Sequence, residues 1–228
     1  MKSKSICLIL LTATASLFGN ASAKADLISV GAVSSMGEAN AKSGVDRDSW
    51  DEGAFGDYSA SANTGGYTAD ASSTLSRSLN ALQISASANG TAGSDAGPAS
   101  GSFAESFNEI NFTTSSTLVF DLAGSGNSNG GGTFTVGLRT QGGLNLLLLG
   151  ESATLDAGNY QFYGYATAED TTTGSGSSFA TLSATLNVSA VPEPSGLVAL
   201  SLSTLGLFFW RKRASSQSRK TQAINPSA

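Results

Sequence analysis

Between residues 26 and 190 apolar and polar positions alternate with period two, and Gly/Ser/Asn/Asp clusters interrupt the alternation. Period two predicts strands with one buried and one solvated face. The stretch 81–89, ALQISASAN, places Leu82, Ile84, Ala86 and Ala88 on one side. The stretch 133–139, TFTVGLR, turns Phe134, Val136 and Leu138 inward. The longest run, 178–188, aligns Ala180, Leu182, Ala184, Leu186 and Val188 against Thr and Ser on the opposite face. STLVFDL (116–122) is apolar on both faces and reads as a central strand. LNLLLLG (144–150) fits a strand or a short helix, and its Gly-Gly entry and Gly exit favour the strand.

The interruptions at 92–101, 123–132 and 168–177 read as loops, and 123–132, AGSGNSNGGG, as a flexible hairpin loop. No amphipathic helix of useful length precedes residue 196. Several short strands separated by turn clusters predict an all-β fold: an antiparallel β-sandwich, jelly-roll-like, over residues 26–190. The expected core is light, because Ala and Ser take many inward positions. Residues 57–76 alternate but carry few large apolar side chains, so they read as an exposed edge hairpin or a partly disordered segment.

Composition narrows the function classes. Only 13% of residues are charged and the net charge is −5. Between Asp26 and Val191 sixteen acids face four bases, Lys42, Arg47, Arg77 and Arg139. Such a middle repels phosphate backbones, so no nucleic-acid partner is expected. Lys2 and Lys4 precede the apolar run 6–18, and small residues at 21–25 offer cleavage sites. Residues 1–25 therefore read as a secretory signal peptide. The sole Cys is Cys7, within that signal, and the sequence contains no His. Disulfides, Cys/His zinc sites, thiol nucleophiles and Ser-His-Asp triads are excluded from residues 26–228, and no cofactor is expected.

The closing stretch 191–213, VPEPSGLVALSLSTLGLFFWRKR, combines three physical features. Pro192-Glu193-Pro194 is a stiff, extended strip, because each Pro fixes φ and biases its predecessor away from helix. Residues 196–210 are uncharged and mostly apolar, and as a helix they span about 22 Å. That is short against a hydrocarbon core of about 30 Å, but bilayer thinning and snorkelling flanks accommodate it. Arg211, Lys212 and Arg213 form a membrane stop. The expected organisation is a signal peptide (1–25), an extracellular sandwich (26–190), a membrane-held signal with one C-terminal transmembrane helix (191–213) and a polar, disordered tail (214–228).

On these residues the chain resembles PEP-CTERM sorting-signal proteins of polysaccharide-producing Gram-negative bacteria. The resemblance covers about twenty-three residues. The segment LDAGNYQFYGYATAED, followed by SSFATLSATLNVSAVPEPS, is similar to the last two strands that commonly precede such signals. The resemblance implies an exosortase partner and a membrane-held precursor with its N-terminus outside. It implies a mature form at the cell surface or in the extracellular matrix. It does not imply an enzymatic activity.

Four groups of residues carry candidate chemistry. Asp46, Asp48, Asp51 and Glu52 offer carboxylates for Ca²⁺, but their spacing departs from a calcium loop, and a solvated acidic loop is the alternative. Tyr163 and Tyr165 fall on one strand face about 7 Å apart, where exposed rings stack on sugars. Ordinary cross-strand packing is the alternative. Glu105 and Glu109 lie about 13 Å apart along a strand. That exceeds the roughly 5–9.5 Å between glycosidase carboxyls. The three N-glycosylation patterns at 89–91, 111–113 and 187–189 arise readily by chance in a Ser/Thr-rich chain. The leading expectation is thus a non-enzymatic surface or matrix protein. A carbohydrate-binding module acting on exopolysaccharide and a secreted hydrolase are the alternatives.

Overall fold

A computed structural model describes residues 27–95, 100–170 and 175–191. The segment read as a signal peptide (1–25), the expected sorting motif Pro192-Glu193-Pro194, the apolar segment 196–210, the cations Arg211, Lys212 and Arg213, and residues 214–228 lie outside the described residues. Within them are twelve strands: β1 (Ser29–Ala41), β2 (Asp46–Glu52), β3 (Gly56–Thr64), β4 (Tyr67–Ser78), β5 (Ala81–Ala92), β6 (Ser102–Thr114), β7 (Leu118–Asn129), β8 (Thr133–Thr140), β9 (Asn145–Leu148), β10 (Ser152–Leu155), β11 (Gly158–Asp170) and β12 (Gly176–Ala190). Among the described residues there is no helix long and apolar enough to cross a membrane.

The strands form two six-stranded antiparallel sheets packed as a β-sandwich. Sheet I has the order β2-β1-β6-β11-β8-β9, and sheet II has β10-β7-β12-β5-β4-β3. Strands consecutive in sequence repeatedly alternate between sheets, so β11 and β12 each sit inside a sheet flanked by earlier strands. The expected inward faces hold: Leu82, Ile84, Ala86 and Ala88 of β5 are buried, as are Ala180, Leu182, Ala184, Leu186 and Val188 of β12.

The core is graded along the strands. Phe112, Phe120 and Tyr160 form a ring cluster with centroids 5.4–6.2 Å apart. Elsewhere alanine meets alanine. Ala39, Ala104 and Ala168 lie side by side across sheet I, and Ala60, Ala71, Ala88 and Ala180 across sheet II. Tyr67, fully buried, packs with this alanine-rich part, and its hydroxyl donates to Asp95 Oδ1 at 2.7 Å. That bond, followed by Lys42 at 3.1 Å, holds the Asp95 carboxyl below its ordinary value.

One segment differs from the sequence expectation, and a second follows one of its two readings. The glycine-rich stretch 123–132 is not a loop up to Asn129, because β7 continues through it and pairs with β12 from Leu118 to Asn129. Its glycines make room rather than slack. A Cβ on Gly126 would lie 2.3 Å from the Phe134 ring, which covers that position. For 57–76 the edge hairpin is the reading that holds, since β3 and β4 pair at the edge of sheet II. Its inward positions include Ala60, Ala62, Ala69 and Ala71, with Tyr67 and Leu75 as the two large buried side chains.

The edges of the two sheets are managed differently. Asp48 Oδ2 accepts the Ser61 amide at 3.1 Å, and Asp46 Oδ2 accepts the Asn63 amide at 2.7 Å. Carboxylates of β2, the edge of sheet I, thus cap the free amides of β3, the edge of sheet II. The other edges, β9 and β10, are four residues each, which limits what they offer a stray strand.

Candidate functional site

The outer face of sheet I is a grid fixed by strand register. One row runs Asp51, Met36, Phe107, Tyr165, Thr135 across β2, β1, β6, β11 and β8. The next runs Ser49, Glu38, Glu105, Thr167, Thr133. On the other side lie Ser34, Glu109, Tyr163 and Gly137. Alternation along each strand sends these side chains outward while their neighbours fill the core.

The expected exposed pair Tyr163 and Tyr165 is separated by this grid. Tyr163 is only 5% exposed. The Arg139 guanidinium lies 4.6 Å from its ring centroid, and its hydroxyl donates to Asn145 Oδ1 at 3.3 Å. Burial pushes its phenol pKa up, and Arg139 opposes that shift. The ring face that would stack on a ligand is already occupied. Tyr165 pairs instead with Phe107, at a centroid distance of 6.3 Å and an interplanar angle of 34°. Met36, 40% exposed, continues the same row. Sequence reasoning missed Phe107. Its signal was the run Phe103, Glu105, Phe107, Glu109 on one face of β6, aromatic and acid in alternation.

A shallow concavity of about 280 Å³ opens beside that ring pair, lined by Glu105, Ser106, Phe107, Tyr165 and Thr167. Thr167 shares a hydrogen bond with Thr133 at 2.8 Å. Glu105 faces Glu38 directly across the β1–β6 pair. Partial burial, then the Glu38 charge, push the Glu105 carboxyl above its ordinary value. The nearby cations are committed elsewhere: Arg47 pairs with Glu38, and Arg139 pairs with Glu109 at 2.6 Å. Asn40 also donates to Glu38. Glu38 is therefore engaged by Arg47 and Asn40, while no cation pairs with Glu105 among the described residues.

Glu105 and Glu109 do not converge. Glu109 accepts from Arg139 and, at 2.9 Å, from Gln161 Nε2. The acidic stretch holding Asp46, Asp48, Asp51 and Glu52 is an edge strand rather than a loop. Alternation puts Asp46 and Asp48 toward β3 and Asp51 on the opposite face beside Met36. Among the described residues no three Asp, Glu, Cys or His side chains are grouped to hold a metal ion. Two of these carboxylates, Asp46 and Asp48, accept backbone amides of β3 at the edge of the sandwich. No protein family, curated protein or solved structure matches the chain.

Proposed function

We propose that this is an exported, non-enzymatic surface or extracellular-matrix protein, held at the membrane as a precursor and sorted by an exosortase through Pro192-Glu193-Pro194. The order of features carries the reading. The last strand ends at Ala190, and the stiff extended strip begins two residues later. Each Pro of the strip favours an extended backbone, the shape a transpeptidase cleft accepts. The apolar run 196–210 holds it at the bilayer, and Arg211-Lys212-Arg213 stops translocation. Residues 1–25 supply export. The delivered domain is read as a jelly roll made of β5–β12, with β5-β12-β7-β10 packed on β6-β11-β8-β9, and β1–β4 extend both sheets.

The test is fractionation with size analysis in an exosortase-positive host. Replacing Pro192-Glu193-Pro194 with Ala-Ala-Ala is expected to leave the full-length form in the membrane, because the anchor survives while the extended shape yields to a better helix former. Processing at the wild-type rate would reduce the segment to a plain anchor. The concavity beside Phe107 and Tyr165 favours carbohydrate binding as a second reading. The commitment of Glu109 to Arg139 and Gln161 counts against the hydrolase.

A further inference from the structure

We propose that the concavity at Glu105, Phe107 and Tyr165 is a subsite for a pyranose ring carrying a primary ammonium group, such as a de-N-acetylated amino-sugar unit of a polysaccharide. The inference goes beyond sorting and does not depend on it. Three observations converge on this ligand chemistry. The first is shape. Phe107 and Tyr165 are neighbours on adjacent strands with planes only 34° apart, and they form an open trough continued by Met36. A trough fits the flat C–H face of a sugar ring. A cage for a methylated ammonium would need rings on several sides.

The second is the polar lining. The Thr167 and Thr133 hydroxyls bond to each other on one side of the trough and retain acceptor capacity for ring hydroxyls. At about 280 Å³ the concavity lies just under the range of pockets for drug-sized ligands, which fits one ring of a longer chain.

The third is charge. Glu105 stands opposite another carboxylate and beside aromatic rings, while both nearby arginines are engaged by Glu38 and Glu109. An ammonium placed between Glu105 and the ring pair supplies the missing cation. It forms a charge-assisted bond with the carboxylate and meets the negative faces of the rings. Glu38, fixed by Arg47 and Asn40, adds attraction without moving. Two carboxylates fall short of a metal set but suit a monovalent organic cation.

The experiment uses the full chain in mild detergent, with calorimetric titration of a glucosamine tetramer, its N-acetylated counterpart and a lysine tetrapeptide. The glucosamine tetramer is expected to bind at least about tenfold more tightly than either comparator, a difference of about 1.4 kcal/mol. Tyr165→Ala should weaken it by about tenfold or more. Glu105→Gln should bring the two tetramers to equal affinity, and its melting temperature, no lower than wild type, shows that the fold is intact. Equal binding of both tetramers by wild type, no binding of either, or an unchanged preference in Glu105→Gln would overturn the proposal. Equal or tighter binding of the lysine peptide would overturn it in favour of a protein partner. Release of shorter oligosaccharides would overturn it in favour of catalysis at Glu38 and Glu105. Sorting can fail its own test without touching any of these results.

Discussion

Trp50 lies over Gly37, so closely that a Cβ there would come within 2.0 Å of the indole. From that position its N–H donates to Ser35 Oγ at 2.9 Å. Ser35 in turn donates to Asn108 Oδ1 at 2.9 Å, and Ser73, from the other sheet, donates to the same oxygen at 2.5 Å. The Asn108 amide reaches Ser106 Oγ at 3.4 Å. The network joins Trp50, Ser35 and Asn108 of sheet I to Ser73 of sheet II, and so ties the two sheets in one register. Asn108→Ala removes the acceptor shared by two buried hydroxyls. It should cost about 1–3 kcal/mol, read as a lower denaturant midpoint. None of this was legible beforehand, because Ser35, Ser73 and Asn108 lie 35 or more residues apart and carry no motif.

Glu105 behaves in the opposite way, because its charge is unsupported. Its folded-state pKa is raised above the ordinary 4.5, so the folded state binds the proton more tightly than the unfolded one. Its contribution to stability is fullest below that ordinary value and declines as pH rises through the folded pKa. Glu105→Gln should therefore melt slightly higher than wild type at pH 7, with the gain vanishing below about pH 4. The gain is at most a few tenths of a kcal/mol, on the order expected for a partly solvated charge. Thermal melts of both proteins across pH check this, and a lower melting temperature for Glu105→Gln at pH 7 would refute it.

At the scale of elements, alternation was legible wherever large side chains marked it, as in β5, β8 and β12. It faded in β3 and β4, where alanine does the inward packing, and in the second half of β7, where glycine yields space to Phe134. Propensity read those glycines as a loop, and pairing with β12 on one side overrode it. The acidic cluster of β2 was visible in sequence, but its purpose depended on which strand lay opposite. Asp46→Ala together with Asp48→Ala should uncap the β3 edge. The expected result is concentration-dependent self-association by sedimentation, with little change in monomer stability. EDTA and added Ca²⁺ should leave the melting of the wild-type protein unchanged. A calcium-dependent rise in melting temperature that the double variant loses would restore the metal reading.

At the scale of the whole molecule, stability is concentrated at the ring cluster of Phe112, Phe120 and Tyr160, since each ring buries about 150–250 Å² while alanine contributes little. The alanine-rich part relies on close sheet contact and on the Tyr67–Asp95–Lys42 cap. That arrangement needs no disulfide, in keeping with a chain whose only cysteine lies in the segment read as a signal. The sorting proposal, by contrast, rests on linear order alone: a charged start, a Pro-Glu-Pro sequence, an apolar run and three cations. Intact-mass measurement of the protein recovered from the surface or medium of an exosortase-positive host tests the central claim most directly. The account predicts a single species that begins at Asp26 and lacks the residues beyond the Pro-Glu-Pro strip. A mass that retains the sequence through Ala228, or that begins at Met1, would contradict it.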